Sequence, residues 1–276
     1  MRIIDFRARP STPEFIAIAR TRLFADHLVD LGVYPQPQSV ADLIREMDAA
    51  GVAVAVVEGR DLETTFGFKT SNDHVAACAR QYPDRLIPFA GIDPNKGMGA
   101  VREVERAVRE LGFRGVSLNP YMHKLPASDR MCYPVYAKCV ELGVPVTITS
   151  GLAVQMPEVA IDHCSPREID IVARDFPELT LLPWSIVNPW AYEAIGIAQR
   201  HKNVYVQLGC YWNVPGWSVV VEAVNTVLQD RCVFGSGYPT APFHETLAAY
   251  AQMPFTDAAR EKLMYKNAAR ILGLDG

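Results

Sequence analysis

Short runs of β-branched and aliphatic residues alternate along this chain with longer stretches whose apolar positions recur every three to four residues. Strands buried on both faces read as continuous apolar runs, and the helices between them bury one stripe, so the alternation is that of repeated βα units around a parallel sheet. Eight strand-like runs stand out: Arg2–Phe6, Val52–Val57, Leu86–Ile92, Gly115–Leu118, Val144–Thr149, Leu179–Pro183, Val204–Leu208 and Cys232–Gly235. Ser39–Ala50 opens on a serine able to cap a helix, sets Val40, Leu43, Ile44 and Met47 on one face and stops before Gly51. Gly99–Leu111 does the same with Val101, Val104, Val108 and Leu111 and stops at Gly112, and Asp257–Leu272 runs from an acidic cap to Gly273. These stripes are core faces.

The 276 residues suit one (β/α)8 TIM barrel, which takes about 250 residues. No linker, low-complexity tract or second repeat interrupts the beat, so residues 1–276 are expected to form a single α/β domain. Two segments depart from it. Ser11–Pro37, with Arg20, Arg22, His27 and Tyr34, is a long insertion after the first strand and is expected to cap the barrel mouth. Asn119–Arg130 is rich in Pro, Tyr and His.

Composition narrows the partners. A formal charge of −4 leaves no basic surface for nucleic acid or anionic membrane. No apolar run reaches the ~20 residues of a membrane helix, and the chain starts on a strand-like run without a basic and apolar leader, so a cytoplasmic protein is expected. The six cysteines have no Cys-x-x-Cys spacing, which argues for reduced thiols over a zinc knuckle or disulfide framework. Without a Gly-x-Gly-x-x-Gly or Walker-type loop, no nucleotide cofactor is implied. A small molecule is the expected partner.

Barrel enzymes carry their chemistry at the C-terminal ends of the strands. The first run ends in Arg7 and Arg9, two period-2 positions that share one face. A buried guanidinium needs a carboxylate, supplied by Asp5, Glu58 or Asp93 of the chain or by a ligand. Arginine's fork suits a substrate carboxylate, and the two arginines can divide these roles. Glu58 is placed as proton-transfer base or arginine partner, and His123 and Tyr121 follow the fourth run. Trp184, Trp190, Tyr211, Trp212 and Trp217 gather near the later strand ends as packing, with one or two available to wall a planar ligand.

Ile4-Asp5-Phe6-Arg7-Ala8-Arg9 resembles the Ile-Asp-x-His-x-His opening of the amidohydrolase superfamily, with arginine in place of both histidines. Asp175-Phe-Pro-Glu-Leu-Thr-Leu-Leu-Pro183, followed by Pro189-Trp190, resembles the sixth-strand region of the amidohydrolase-related, decarboxylase-like branch. Asp230-Arg-Cys-Val-Phe-Gly-Ser-Gly-Tyr-Pro239 resembles its eighth strand, Gly115–Pro120 its fourth and Gly143–Gly151 its fifth. The resemblance implies a distorted TIM barrel, a homodimer and a metal site, yet at every ligand position this chain differs. The fifth-strand histidine falls on Thr149, the sixth on Ser185 or, one register away, Trp184, and the eighth-strand aspartate on Gly237. No metal and no cofactor are therefore expected, because arginine stays protonated and cannot ligate a cation. A zinc hydrolase with displaced ligands would need a new set, and His27, His74, His123, His163, His201 and His244 show no pair at ligand spacing.

The expected protein is a metal-independent, amidohydrolase-like enzyme acting on a small carboxylated compound by lactone, C–O or amide hydrolysis, or by isomerisation or decarboxylation. Arg7 and Arg9 anchor a carboxylate or polarise a carbonyl, Glu58 or His123 moves the proton, and Arg60, Asn119, Tyr121, Thr149, Ser185, Tyr211 and Tyr238 contact substrate. The competing expectation is a non-catalytic descendant that binds a carboxylate or a partner protein.

Overall fold

The computed structural model describes residues 2–20, 36–151, 160–184, 189–210, 212 and 215–274. Its strands are β1 Ile3–Ala8, β2 Val52–Glu58, β3 Arg60–Leu62, β4 Phe68–Thr70, β5 Leu86–Gly91, β6 Val116–Leu118, β7 Val146–Thr149, β8 Leu181–Trp184, β9 Val206–Leu208 and β10 Cys232–Phe234. Eight of them form one parallel sheet in the order β1-β2-β5-β6-β7-β8-β9-β10. The sheet curls into a nearly closed TIM barrel: Gly237 N donates to Arg7 O and Arg9 N to Tyr238 O, both at 3.0 Å, bringing the last strand end back to the first.

The helices form where the apolar stripes placed them. Val40–Ala50 is capped by Ser39, whose hydroxyl accepts from Asp42 N while the Asp42 carboxylate accepts from Ser39 N, and it ends on Gly51 at φ 74°. The second stripe forms Met98–Arg109, and the last segment is helical from Asp257 to Leu272 with a π turn over Lys262–Lys266. Several observed strands begin a residue or two later than their apolar runs.

Strand alternation divides each strand between two cores. Val116, Leu118, Val146, Ile148, Val206 and Leu208 face outward and pack with the helices. Ile4, Phe6, Val54, Val56, Ile87, Phe89, Leu182 and Val233 come from five different strands and meet in the lumen. Ala268, Ala269 and Leu272 of the last helix join them at the end where Arg2 lies over the Tyr265 ring, closing the barrel at the starts of its strands.

The β3–β4 hairpin has no counterpart among the eight apolar runs. Three residues per strand are too few to show a period, and the segment follows β2 through Gly59. The chain passes so close to β5 there that a Cβ on Gly91 would lie 2.4 Å from Arg60 N. Of the expected cap over 11–37, residues 21–35 lie outside the described residues. Its start forms the short helix Pro13–Ile16, and Ile18 packs with Leu62, Phe68, Tyr121, Met122 and Cys164, a small apolar cluster drawn from segments that follow the strand C-termini.

Candidate active site

Above the apolar lumen, the inward positions of several strands are polar. β2 reaches Glu58, β7 carries Thr147 and Thr149, β6 carries Ser117 and leads to Asn119, and β9 carries Gln207, all of them buried. On β1 the alternation alone would turn Arg7 outward, since Ile4 and Phe6 point in. Three residue steps from Asp5 to Ala8 match only two on β2, from Ala55 to Val57. This bulge re-aims the strand end, as bulges beside functional sites do, and Arg7 crosses the lumen.

Arg7 and Arg9 converge on one carboxylate. Arg7 Nη1 lies 2.8 Å from Glu58 Oε2, and Arg9 Nη2 donates to the same oxygen at 2.9 Å. The Thr147 hydroxyl donates to Glu58 Oε1 at 2.6 Å, so both carboxylate oxygens are engaged. Arg7 Nη2 donates to Thr149 Oγ1 at 3.0 Å, which donates in turn to Asn119 Oδ1 at 2.8 Å. That relay fixes the Asn119 amide with its Nδ2 facing no acceptor among the described residues. Arg9 Nε, Ser117 Oγ and Gln207 Oε1 are likewise buried without a hydrogen-bond partner among them. Buried polar atoms are normally paired, so the mouth of this barrel holds capacity for a polar guest.

The electrostatics point to an anion. Burial, and then the charges of Arg60 and Arg7, push the Arg9 guanidinium well below its ordinary value against the pull of Glu58. Two arginines thus share one carboxylate, and the charge of Arg60 acts on the second of them. The Arg7 guanidinium also lies over the Trp184 ring, 4.5 Å from its centroid. Trp184 fits there because Gly209 and Gly235 have no side chains: a Cβ on Gly209 would come 2.6 Å from the indole and one on Gly235 3.0 Å.

The remaining expected site residues are spread around this cluster. Tyr121 is buried close enough to influence Arg9. His123 is buried with Nδ1 3.4 Å from Asp93 Oδ1, and burial, outweighing the pull of Asp93, lowers its pKa and keeps the ring neutral. Asp93 also accepts from Thr64 N and Oγ1, tying it to the segment after β3. The Tyr238 ring stacks on Phe243 and its hydroxyl donates to Gln38 Oε1 at 2.8 Å, so its polar end is engaged within the barrel wall. Ser185 and Tyr211 lie outside the described residues. Thr147 belongs to the site yet escaped the sequence reading, and Asp5, expected there as a candidate arginine partner, accepts from the Arg7 and Ser236 backbone amides. Thr147 could have been found, being one inward step below Thr149, whereas the role of Asp5 depends on the bulge.

Arg7 and Gly237, two of the positions at which the resemblance implies metal ligands, do not fit a cation. Arg7 brings a positive charge there, and an indole packs against Gly237, where an added Cβ would meet Cys210 Sγ at 3.1 Å and Trp184 at 3.3 Å. Among the described residues no group of three or more His, Cys, Asp or Glu side chains is set to hold a metal.

A barrel with its polar cluster at the strand C-termini defines a class, and sequence comparison gives the family: the amidohydrolase family model matches residues 21–274, and the chain belongs to that family. An uncharacterised TIM-barrel protein from Bordetella bronchiseptica superposes with a TM-score of 0.86 at 33% identity over 99% of both chains. The 2,6-dihydroxybenzoate decarboxylase from Rhizobium shares the fold with a TM-score of 0.73 at 16% identity over 100% of both chains. The 2-keto-4-carboxy-3-hexenedioate hydratase of a Sphingobium strain is 38% identical over 88 residues, which span 28% of this chain and 25% of the hydratase.

Proposed function

We propose that this chain is a metal-independent enzyme of the amidohydrolase family that acts on a small carboxylated compound, with Arg7 and Arg9 in the electrostatic place a metal would hold. The observation that carries the reading is the sharing of Glu58 Oε2 by both arginines beside Arg9 Nε and Asn119 Nδ2, which have no hydrogen-bond partner among the described residues. Glu58 satisfies part of the arginine charge and leaves the rest for a ligand carboxylate or a developing oxyanion. The hydratase and decarboxylase among the relatives are named for carboxylated compounds, which favours the same substrate class.

In this reading Arg7, steadied by Thr149 and Trp184, polarises the reacting carbonyl or carboxylate, while Arg9 and Asn119 orient the anion. Arg60 and Tyr121 border that anion, and Thr149 holds Arg7. Glu58 works as the counter-ion: Thr147 donates to one of its oxygens, and the other accepts from Arg9 and lies in ion-pair contact with Arg7. Proton transfer falls to His123, whose neutral ring backed by Asp93 can accept and return a proton. Hydrolysis of a carboxylated lactone or amide uses these parts most fully, because the arginine stabilises the tetrahedral oxyanion and the imidazole activates water. Decarboxylation and isomerisation use the same clamp.

The test is turnover of a panel of carboxylated lactones, amides and aromatic acids by metal-analysed protein, with Arg7→Ala in parallel. The expected result is activity without stoichiometric metal that is lost in Arg7→Ala while the fold is kept. Activity that tracks bound zinc or manganese, or that survives Arg7→Ala, overturns the reading.

A further inference from the structure

Arg7 reaches the lumen only because β1 bulges between Asp5 and Ala8, and one side chain spans that bulge. Asp5 is fully buried, and its Oδ1 accepts from Arg7 N at 2.8 Å and from Ser236 N at 3.0 Å. One bond pins the first amide of the bulge. The other ties β1 to the segment after β10, across the seam where Gly237 N donates to Arg7 O. The second oxygen, Oδ2, is buried with no hydrogen-bond partner among the described residues. A carboxylate spent on two backbone amides and shut away from water shapes the strand and does not meet substrate.

We infer that Asp5 is the positioning residue of the arginine clamp: by bracing the bulge and the barrel seam it decides that Arg7 and Arg9 face the lumen. This rests on the reading of Arg7 and Arg9 as an anion clamp. Burial raises the Asp5 pKa to about 7, with the charge of Glu58 adding to it and the hydrogen bonds to Ser236 and Arg7 opposing it. The groups that face Asp5 are Arg7 on its own strand, Glu58 from β2, Cys210 after β9 and Tyr250 from helix Phe243–Gln252. Burial moves the Cys210 thiol up to about 11 and the Tyr250 phenol well above its ordinary value, so neither titrates near neutrality. Ionised Asp5 would stand as a second anion beside Glu58 and oppose an anionic ligand at Arg7.

Because the folded pKa lies above the unfolded one, the stability this proton confers is fully present below about pH 4 and is lost as pH rises through about 7. Asp5→Asn keeps an acceptor for the two amides and removes the titration; Asp5→Ala removes the acceptor. The experiment measures melting temperature from pH 5 to 8 for wild type and Asp5→Asn, and the affinity of 2,6-dihydroxybenzoate for wild type and both variants, with circular dichroism checking the fold. The expected results are a melting temperature that falls with pH in wild type but not in Asp5→Asn, and an affinity at least tenfold weaker in folded Asp5→Ala. Asp5→Asn should bind within about threefold of wild type at pH 6 and should not lose affinity toward pH 8 as wild type does. Parallel melting profiles, or Asp5→Ala binding as wild type does, overturn the inference. Should 2,6-dihydroxybenzoate fail to bind wild type, the choice of ligand falls, and the melting profiles alone decide on Asp5.

Discussion

Up to Val56 on β2 and Leu182 on β8, the lumen is aliphatic and aromatic. One inward step further along the same strands stand Glu58 and Trp184, and around them Arg7, Thr147, Thr149 and Gln207. The lower layer is fixed by shape: any apolar side chains of the right volume would fill it, and it gains stability from each methylene removed from water. The upper layer is fixed by pairing. Each charged group there depends on a named partner, and several polar atoms have none among the described residues. A sheet closed on itself thus supplies a rigid floor at one end and a strongly polarised cup at the other, with the β1 bulge between Asp5 and Ala8 marking the change.

Substitutions in the two layers should separate stability from anion binding. Glu58→Ala should have the largest effect, because it leaves two arginines facing each other in a buried site; the expected loss is about 3–5 kcal/mol, read by chemical denaturation. Glu58→Gln, which keeps a hydrogen-bond acceptor, should recover part of it. Leu182→Ala in the lower layer should cost about 2–5 kcal/mol and leave carboxylate affinity unchanged; a parallel loss of affinity would show that the layers are not independent. Gly209→Ala drives a methyl group into the Trp184 indole beneath Arg7 and should cost about 1–3 kcal/mol, with a weakened anion response that Leu182→Ala does not share. Arg167→Ala, which breaks an exposed pair with Glu193, should change stability by under about 0.5 kcal/mol.

The two layers also differ in how well the sequence announced them. The apolar runs revealed all eight barrel strands, and the stripes with their Ser39 and Gly51 signals revealed the helices, because burial on a regular element leaves a period. The pairing of Arg7 and Arg9 at one strand end was legible, and the need to compensate buried charge gave Glu58 as one of three candidate partners, whereas the turn of Arg7 into the lumen depends on the bulge. The Asp5 clasp was not legible, since it exists only where β1 breaks its register with β2. Nor was the β3–β4 hairpin that carries Arg60 back past β5: its strands are too short for any period, and beside their antiparallel ladder lies an ion-pair set of Lys69 and Lys96 with Asp61 and Glu63. The orientation of Tyr238 likewise follows from Phe243 and Gln38, which lie outside its own strand end.

The central claim is that the polar cup takes an anion through Arg7. Its most direct test is a thermal-shift series at pH 7 that pairs small carboxylates and dicarboxylates with their methyl esters, run on wild type and Arg7→Ala. Binding to the native state raises the melting temperature by mass action. The account predicts that acids, and not their esters, stabilise wild type, and that Arg7→Ala loses the response while remaining folded. Esters that stabilise as well as acids, or an undiminished response in Arg7→Ala, would contradict it.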